Sequence, residues 1–186
     1  MEIIRTGIDD SFLITPMVYN DNRGSFFEMY NIQKLREHGI GDKFVQDNIS
    51  ISHKGVLRGV HTQQKYLQSK IVSCIKGTIY DVIVDCRPNS PTFKNWFGAE
   101  LSGKNHKCLY VPRGVAHGYL SLADEALVYF KVSTHFHVGD EIGFLWNDST
   151  IGIKWPLQDI PHLILADKDR HWGTFDEMME SLSKSI

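Results

Sequence analysis

The chain has 186 residues, of which 42% are hydrophobic and 23% are charged, and its formal net charge is −2. These values are typical of one ordinary globular domain with a sizeable core. The small net charge gives no general attraction to nucleic acid or to an anionic membrane, so any contact with phosphate must be local. We therefore expect a single domain over 1–186, with no nucleic-acid partner and no membrane partner.

The three cysteines, Cys74, Cys86 and Cys108, are odd in number and widely spaced. This pattern fits reduced thiols in an intracellular protein better than a disulfide framework, and no pair has the spacing of zinc ligands. The N-terminus lacks the basic-then-apolar pattern of a secretory signal, and no apolar run approaches membrane-spanning length. The sequence thus predicts a cytoplasmic protein.

Short strands at regular spacing dominate the chain. Ten are predicted, at 12–18, 25–30, 44–52, 55–61, 69–75, 78–85, 95–101, 107–111, 119–122 and 126–133. Asn31 is expected to cap a short helix through Arg36, which Gly39 closes. A second helix is expected from Phe175 toward Leu182. Many short strands with only peripheral helices predict an all-β fold of the double-sheet jelly-roll type.

The stretch 55–63, Gly-Val-Leu-Arg-Gly-Val-His-Thr-Gln, is the most informative part of the chain. It carries Arg58 and His61 on one predicted strand, and Lys70 follows on the next. A glycine inside a strand, here Gly59, indicates a bulge or a close approach of another backbone. Arg58 and His61 could be only solvated residues at a strand edge. Together with polar clusters upstream, however, they indicate proton abstraction from a substrate that carries phosphates.

A jelly-roll barrel has a mouth in which residues of several strands converge, and a small ligand would lie there. Metal-dependent barrels need clustered histidine and carboxylate ligands. No second histidine or glutamate follows His61 within the next ten residues, and His117 stands alone. His135 and His137 come after the end of a predicted strand, where a solvated loop is expected. The sequence predicts a pocket that works without a metal or any other cofactor.

Several motifs occur in a fixed order from about Ile3 to Trp172. They are Asp21-Asn-Arg-Gly24, Phe44-Val-Gln-Asp-Asn48, Gly55-Val-Leu-Arg-Gly59 with His61, Asp81-Val-Ile-Val-Asp85, Ser90-Pro-Thr-Phe93, Pro112-Arg-Gly-Val-Ala-His-Gly118, Trp146-Asn-Asp148, Ile153-Lys-Trp-Pro156 and Lys168-Asp169. In this ordered set the chain resembles the dTDP-4-dehydrorhamnose 3,5-epimerases, metal-free members of the cupin superfamily. The resemblance implies a cupin-like barrel with its core at about 3–160. It also implies a segment, 161–186, that completes the site and packs outside, and a homodimer.

The resemblance implies three catalytic residues. His61 would remove a proton beside a 4-keto group, a task that suits imidazole because its unperturbed pKa lies near the operating pH. Asp169 would fix the tautomer of His61, and Lys70 would stabilise the enolate charge that develops on the ketone oxygen. From the residues alone, Asp169 could be an ordinary solvated loop charge, and Lys70 could be a side chain at a strand edge.

A second set of residues is implied for substrate binding. Arg23, Arg58 and Lys168 correspond to contacts with the sugar nucleotide and its diphosphate, which planar guanidinium groups bind well. Positions that contact the ligand or support the pocket are Glu28, Gln46, Asp47, Asn48, His117 and Glu141. Each of these could alternatively be an ordinary polar residue of the surface.

One position departs from the family. Members that invert two carbons carry a tyrosine immediately before the lysine of a late strand, and this tyrosine is the acid on the face opposite the histidine. Here the position is Phe130, before Lys131, and phenylalanine has no proton to give. Tyr129 is adjacent, but successive residues of a strand point to opposite faces, so it should face away. A later family tyrosine is replaced by Phe136.

Three functions therefore remain open from the sequence. The first is an epimerase of a dTDP-4-keto-6-deoxyhexose or a related NDP-4-keto sugar in deoxysugar biosynthesis, inverting two carbons or only one. In that function water, Tyr119 or a shifted Tyr129 supplies the second proton. The second is a ketoisomerase or epimerase of a CDP- or GDP-linked deoxy or heptose sugar. The third is a non-catalytic cupin that binds a nucleotide sugar.

Overall fold

The computed structural model of the protein describes residues 1–183. In chain order its elements are β1 (Glu2–Arg5), β2 (Phe12–Thr15), β3 (Val18–Asp21), β4 (Gly24–Phe27), α1 (Ile32–Arg36), β5 (Gln46–His53), β6 (Val56–Gln63), β7 (Lys70–Lys76), β8 (Thr78–Asp85), β9 (Trp96–Ser102), β10 (Cys108–Val111), β11 (Val115–Ser121), β12 (Glu125–Val132), β13 (Glu141–Gly143), β14 (Ile164–Leu165), α2 (Asp167–Arg170) and α3 (Phe175–Ser183).

Two sheets form the body of the fold. The first has the strand order β1-β2-β10-β7-β12-β5, and the second has the order β13-β6-β11-β8-β9, with β14 beside β6. All pairs within these two orders are antiparallel, and β14 alone runs parallel to its neighbour. The predicted all-β jelly roll is confirmed.

Each predicted strand corresponds to a strand of the structure, and both predicted helices form. The side chain of Asn31 accepts hydrogen bonds from the backbone N–H groups at the start of α1, and Gly39 has φ +85°. The predicted strand 12–18 is divided at Pro16, which has no N–H to donate to a sheet. The sequence analysis missed β1, β3, β13, β14 and α2, because segments of two to four residues are too short to show a hydrophobic period.

The second sheet is buried on both faces. Its inner face packs against the first sheet around apolar side chains that include Val72, Leu109 and Val128 of the first sheet and Ile83 and Val115 of the second. Its outer face carries a second apolar cluster, in which Val82, Val84 and Leu120 meet Phe144, Phe175 and Met178. The C-terminal helix α3 therefore packs against the outside of the barrel. Within residues 1–183, no helix has the length and apolar character that a bilayer crossing requires.

Strands β6 and β11 approach each other unusually closely at two glycines. A Cβ on Gly59 would lie 2.6 Å from Cα of Gly118 and 2.6 Å from the carbonyl oxygen of His117. The register of the pair shifts at this point, so that His61 lies opposite His117 while Arg58 lies opposite Tyr119. The predicted bulge or close approach at Gly59 is confirmed.

We expect Gly59→Ala to lower the free energy of unfolding by about 2–5 kcal/mol, because backbone strain and steric overlap add. Gly59 has φ +109°, a region that L side chains rarely adopt. Gly24→Ala is the matched control, since Gly24 has φ +122° but a Cβ at this position would have no neighbour within 4 Å. Urea denaturation of both variants measures the difference, and equal losses would contradict the argument from close approach.

Candidate active site

A cavity of about 360 Å³ lies between the two sheets, and most of the residues that line it are polar or charged. Strands β5, β7 and β12 line it from the first sheet, and β6, β11 and β13 line it from the second. The segment that contains α2 closes one side with Ala166, Lys168 and Asp169. A volume of this size suits a small-molecule ligand.

The cavity brings together most of the residues that the sequence analysis selected. Those that line it are Gln46, Asn48, Arg58, His61, Lys70, His117, Tyr119, Phe130, Glu141, Lys168 and Asp169. They come from seven elements that are far apart in the chain, so this convergence is a property of the fold rather than of any one motif.

His61 lies beside a carboxylate and near two lysines. Its Nδ1 is 3.2 Å from Oε1 of Glu141. Burial, followed by the charges of Lys70 and Lys168, holds the pKa of His61 well below its ordinary value. The imidazole is therefore neutral at neutral pH, which is the state that a general base requires.

Lys70 and Lys168 both line the cavity, and the charges of both act on His61. Burial lowers the pKa of Lys70, and the negative charges of Glu141 and Asp81 oppose that effect. Lys168 Nζ makes a close hydrogen-bonded ion pair with Oε2 of Glu141. One carboxylate thus contacts both the histidine and a lysine, and the cavity keeps an excess of positive charge for an anionic ligand.

Asp169 is buried and holds the backbone of β6. Its carboxylate accepts hydrogen bonds from the N–H of Gly59 at 3.4 Å and from Nε1–H of Trp172 at 3.2 Å. Burial raises its pKa. The carboxylate beside Nδ1 of His61 belongs to Glu141, and the expected pairing of Asp169 with His61 stays a prediction.

A buried histidine–carboxylate pair lies next to His61. Nε2 of His117 is 2.7 Å from Oδ1 of Asp81, and His117 lies directly opposite His61 in the pairing of β6 with β11. The sequence analysis selected His117 but not Asp81. Alternation along β8 places Asp81 on the inward face with Ile79 and Ile83, which is the signal that could have identified it.

The three aromatic residues considered for the second proton have different positions. Phe130 and Tyr119 line the cavity. Tyr129 does not, and its hydroxyl accepts a hydrogen bond from Nζ of Lys131 at 3.2 Å. Tyr129 thus faces away from the cavity, as the alternation of strand residues predicts.

Three selected residues lie away from the cavity of their own chain. Arg23 pairs with Asp21 at 2.6 Å in the turn of the exposed β3–β4 hairpin. Glu28 accepts hydrogen bonds from Lys34 and Asn31 near α1.

Asp47 pairs with Lys131 at 2.6 Å on the outer face of β5, because it alternates with the inward residues Gln46 and Asn48. Asp47 therefore does not line the cavity with Gln46 and Asn48, and its expected contribution to ligand binding stays a prediction. Their shared motif spans both faces of one strand.

The sequence analysis missed several residues of the cavity, namely Ser50, Thr62, Gln63, Gln68, Val132 and Ala166. Ser50 continues the inward series of Gln46 and Asn48, so the strand period could have identified it. Both amide atoms of Gln63 are buried, and within residues 1–183 neither has a hydrogen-bond partner. A buried amide of this kind is ready to bind a polar group of a ligand.

Comparison with known proteins gives matches along most of the chain. The sequence model of a family described as dTDP-4-dehydrorhamnose 3,5-epimerase matches residues 5–177. The dTDP-4-dehydrorhamnose 3,5-epimerase of Methanothermobacter thermautotrophicus is 44% identical over 174 residues, which cover 94% of this chain and 94% of the relative.

Two solved structures are also similar. A dTDP-6-deoxy-D-glucose-3,5-epimerase from Legionella pneumophila, crystallised with dTDP-4-keto-L-rhamnose, has a TM-score of 0.92 at 39% identity, covering 97% of this chain and 96% of that chain. ChmJ, a 3'-monoepimerase from Streptomyces bikiniensis crystallised with dTDP-quinovose, has a TM-score of 0.87 at 29% identity, covering 96% of this chain and 89% of that chain.

We expect His61 to titrate below about 6.5, the value of an unperturbed imidazole. The shift favours the neutral form, so protonation should require a lower pH than for free imidazole. Lys70→Gln should raise the pKa of His61, because the lysine charge contributes to lowering it. NMR of the ring signals as a function of pH measures both, with Lys76→Gln as a control on the exposed strand end. A pKa of His61 that does not change in Lys70→Gln would contradict this electrostatic coupling.

Proposed function

The chain belongs to the dTDP-4-dehydrorhamnose 3,5-epimerase family, and we propose on this basis that it epimerises a dTDP-4-keto-6-deoxyhexose. The reaction removes a proton from a carbon beside the ketone, holds the enolate, and returns a proton to the opposite face. The observation that carries the proposal is the imidazole of His61, which is only 18% exposed and whose lowered pKa favours its neutral form, in a cavity that Lys70 also lines.

In this proposal His61 is the base. A proton on Nδ1, directed toward the carboxylate of Glu141 at 3.2 Å, leaves Nε2 with a free lone pair. The low pKa of His61 keeps that lone pair available at neutral pH. After abstraction the imidazolium is stabilised by Glu141, which replaces part of the solvation that burial removes.

Lys70 stabilises the enolate oxygen. Its ammonium is a compact charge in a cavity largely shielded from water, where an interaction with developing negative charge is stronger than in solution. Lys70 also lowers the pKa of His61. The same lysine therefore keeps the base neutral before the reaction and balances the enolate charge during it.

The nucleotide is bound by the remaining polar residues of the cavity. Arg58 and Lys168 would contact the diphosphate, and Arg58 offers two donors to one phosphate. Gln46 and Asn48 lie on the same inward face of β5, with Nε2 of Gln46 donating to Oδ1 of Asn48 at 2.8 Å, and would contact the sugar or nucleoside. Asp169 would position His61 through its hydrogen bond to Gly59.

Inversion of one carbon only is a second candidate for the same site. The observation that favours it is Phe130, which lacks a hydroxyl where an acid is expected. The similarity to a 3'-monoepimerase is consistent with this candidate. The relatives described above carry thymidine diphosphate sugars in their names, so a CDP- or GDP-linked substrate and a non-catalytic binding role are not favoured.

We also propose a homodimer. Among residues 1–183, the β3–β4 hairpin pairs with no other strand, and it exposes 65% of Tyr19 and 73% of Phe26. Exposed aromatic rings on a projecting hairpin are typical of a contact surface. In a dimer this hairpin would bring Arg23 and Phe26 toward the partner's cavity. Arg23, which lies outside the cavity of its own chain, could then contact a ligand in the partner's cavity.

Two further expectations belong to the proposal. Cys74, Cys86 and Cys108 are free and buried, and burial raises the pKa of Cys86 to about 12, so the thiols remain protonated and unreactive. We therefore place the protein in the cytoplasm.

We also propose that 1–186 acts as one domain, with the segment after residue 160 supplying Lys168 and Asp169 to the site.

His61→Asn should reduce exchange of the protons beside the ketone by at least about 10²–10⁴-fold, because asparagine cannot accept a proton at neutral pH. Exchange is measured by NMR in D₂O with dTDP-4-keto-6-deoxyglucose, and dTDP affinity should be unchanged. His137→Asn is the control, since His137 stacks on Tyr66 outside the cavity. Wild-type exchange in His61→Asn would remove His61 as the base, and no exchange in wild type would overturn the proposed function.

The wild-type protein should elute at about twice its chain mass of 21.3 kDa at micromolar concentration. Phe26→Ser should shift it toward the monomer, because it removes apolar area from the proposed contact surface. Val138→Ser is the control, because Val138 is 92% exposed in a different loop. Light scattering after size exclusion gives both masses. A monomeric wild type would contradict the dimer.

A further inference from the structure

The phenol of Tyr119 crosses the interior from one sheet to the other. Tyr119 belongs to β11 of the second sheet, and it is only 4% exposed. Its hydroxyl lies 2.8 Å from Oγ of Ser50 and 2.9 Å from Oγ of Ser52, both on β5 of the first sheet. The hydroxyl therefore lies against the sheet opposite to the one that carries His61.

The hydroxyl of Tyr119 lies near Phe130, the position at which the family has its tyrosine acid. Phe130 lies opposite Asn48 in the pairing of β12 with β5, and Val128 lies opposite Ser50 two residues away. Phe130 also packs against the apolar cluster that contains Tyr119. Phe130 has no hydroxyl, but the hydroxyl of Tyr119, on β11 of the opposite sheet, lies near the same stretch of β5. Among the cavity-lining residues of 1–183, Tyr119 has the sole phenol.

We propose that Tyr119 is the catalytic acid of this protein, giving its proton to the substrate carbon on the face opposite His61. The inference rests on the proposed epimerase function and names the proton donor that Phe130 cannot be. Tyr119 is chosen over Tyr129 because the hydroxyl of Tyr129 contacts Lys131 outside the cavity.

The hydrogen bonds around Tyr119 leave its proton free to move. Nε–H of Arg58 donates to Oγ of Ser52 at 3.2 Å. Because Ser52 already accepts this bond, its own hydroxyl proton can be directed to the oxygen of Tyr119. The proton of Tyr119 is then available either to Ser50 or to a substrate that enters the cavity.

The same groups stabilise the phenolate that remains. After transfer, the oxygen of Tyr119 can accept hydrogen bonds from the hydroxyls of both Ser50 and Ser52. Ser52 is polarised by the guanidinium of Arg58, which brings positive charge close to the new anion. Charge-assisted hydrogen bonds of this kind are about twice as strong as neutral ones.

The step balances in protons and electrons. His61 takes the proton from the carbon beside the ketone, and the electron pair of the broken C–H bond becomes the enolate. The enolate carbon then forms a new C–H bond with the proton of Tyr119, while the O–H electron pair stays on the phenolate. Each inversion ends with a protonated His61 and an ionised Tyr119, and proton exchange with water restores both.

Tyr119→Phe tests the assignment with dTDP-4-keto-6-deoxyglucose in D₂O. Two rates are measured separately: exchange of the proton beside the ketone for deuterium, and inversion of the carbon that carries it. We expect inversion to fall by about 10²–10⁴-fold. Exchange should be retained, since His61 can return a deuteron to its own face. Tyr129→Phe is the matched control and should invert at the wild-type rate.

Moving the phenol hydroxyl from residue 119 to residue 130 distinguishes a catalytic role of Tyr119 from a packing role. Phe130→Tyr in the Tyr119→Phe background should restore inversion, because it returns a phenol to the opposite face. Ser52→Ala should lower inversion about tenfold with exchange retained, because one hydrogen bond to the phenolate is lost.

Unchanged inversion in Tyr119→Phe would overturn the assignment. Equal loss of exchange and inversion, without rescue by Phe130→Tyr, would also overturn it and would assign Tyr119 a packing role. These outcomes differ from a failure of the proposed function, in which wild-type protein shows no exchange at all.

Discussion

The close approach of β6 and β11 at Gly59 and Gly118 is the constraint on which the site depends. A side chain at Gly59 would overlap the opposite backbone, so only a pair of glycines allows these strands to meet. The resulting shift in register places His61 opposite His117 and Arg58 opposite Tyr119. With this register, His61, Arg58 and Tyr119 all line one cavity.

Ionisable groups of the cavity lie close to one another and to groups of opposite charge. Glu141 contacts both His61 and Lys168, so that one carboxylate compensates two basic groups. Because the side chain of Lys168 is 51% exposed, solvent screens its ion pair with Glu141, and a pair of this kind contributes only about 0–1 kcal/mol. Burial lowers the pKa of Lys70, and the negative charges of Glu141 and Asp81 oppose that effect. Burial, followed by the charges of Lys70 and Lys168, lowers the pKa of His61.

Local pattern determined much of what could be predicted. The period of two along β5 separates the inward Gln46 and Asn48 from the outward Asp47, and glycine inside a strand indicated the bulge at residue 59. Hydrophobic alternation and turn residues located the main strands, because these signals act over a few neighbouring residues. The ordered motifs indicated the family, and with it the jelly-roll fold and the choice of His61, Lys70 and Asp169.

Only the tertiary structure decided which of these residues meet. The contact of Glu141 with His61, the pairing of Asp81 with His117 and the reach of Tyr119 to Ser50 all join elements far apart in the chain. Each depends on strand register and on the packing of one sheet over the other, and a one-residue slip would turn the same side chains to the opposite face. The sequence by itself determined the residue types and the faces they occupy, whereas the distances between them follow from long-range packing that no local pattern encodes.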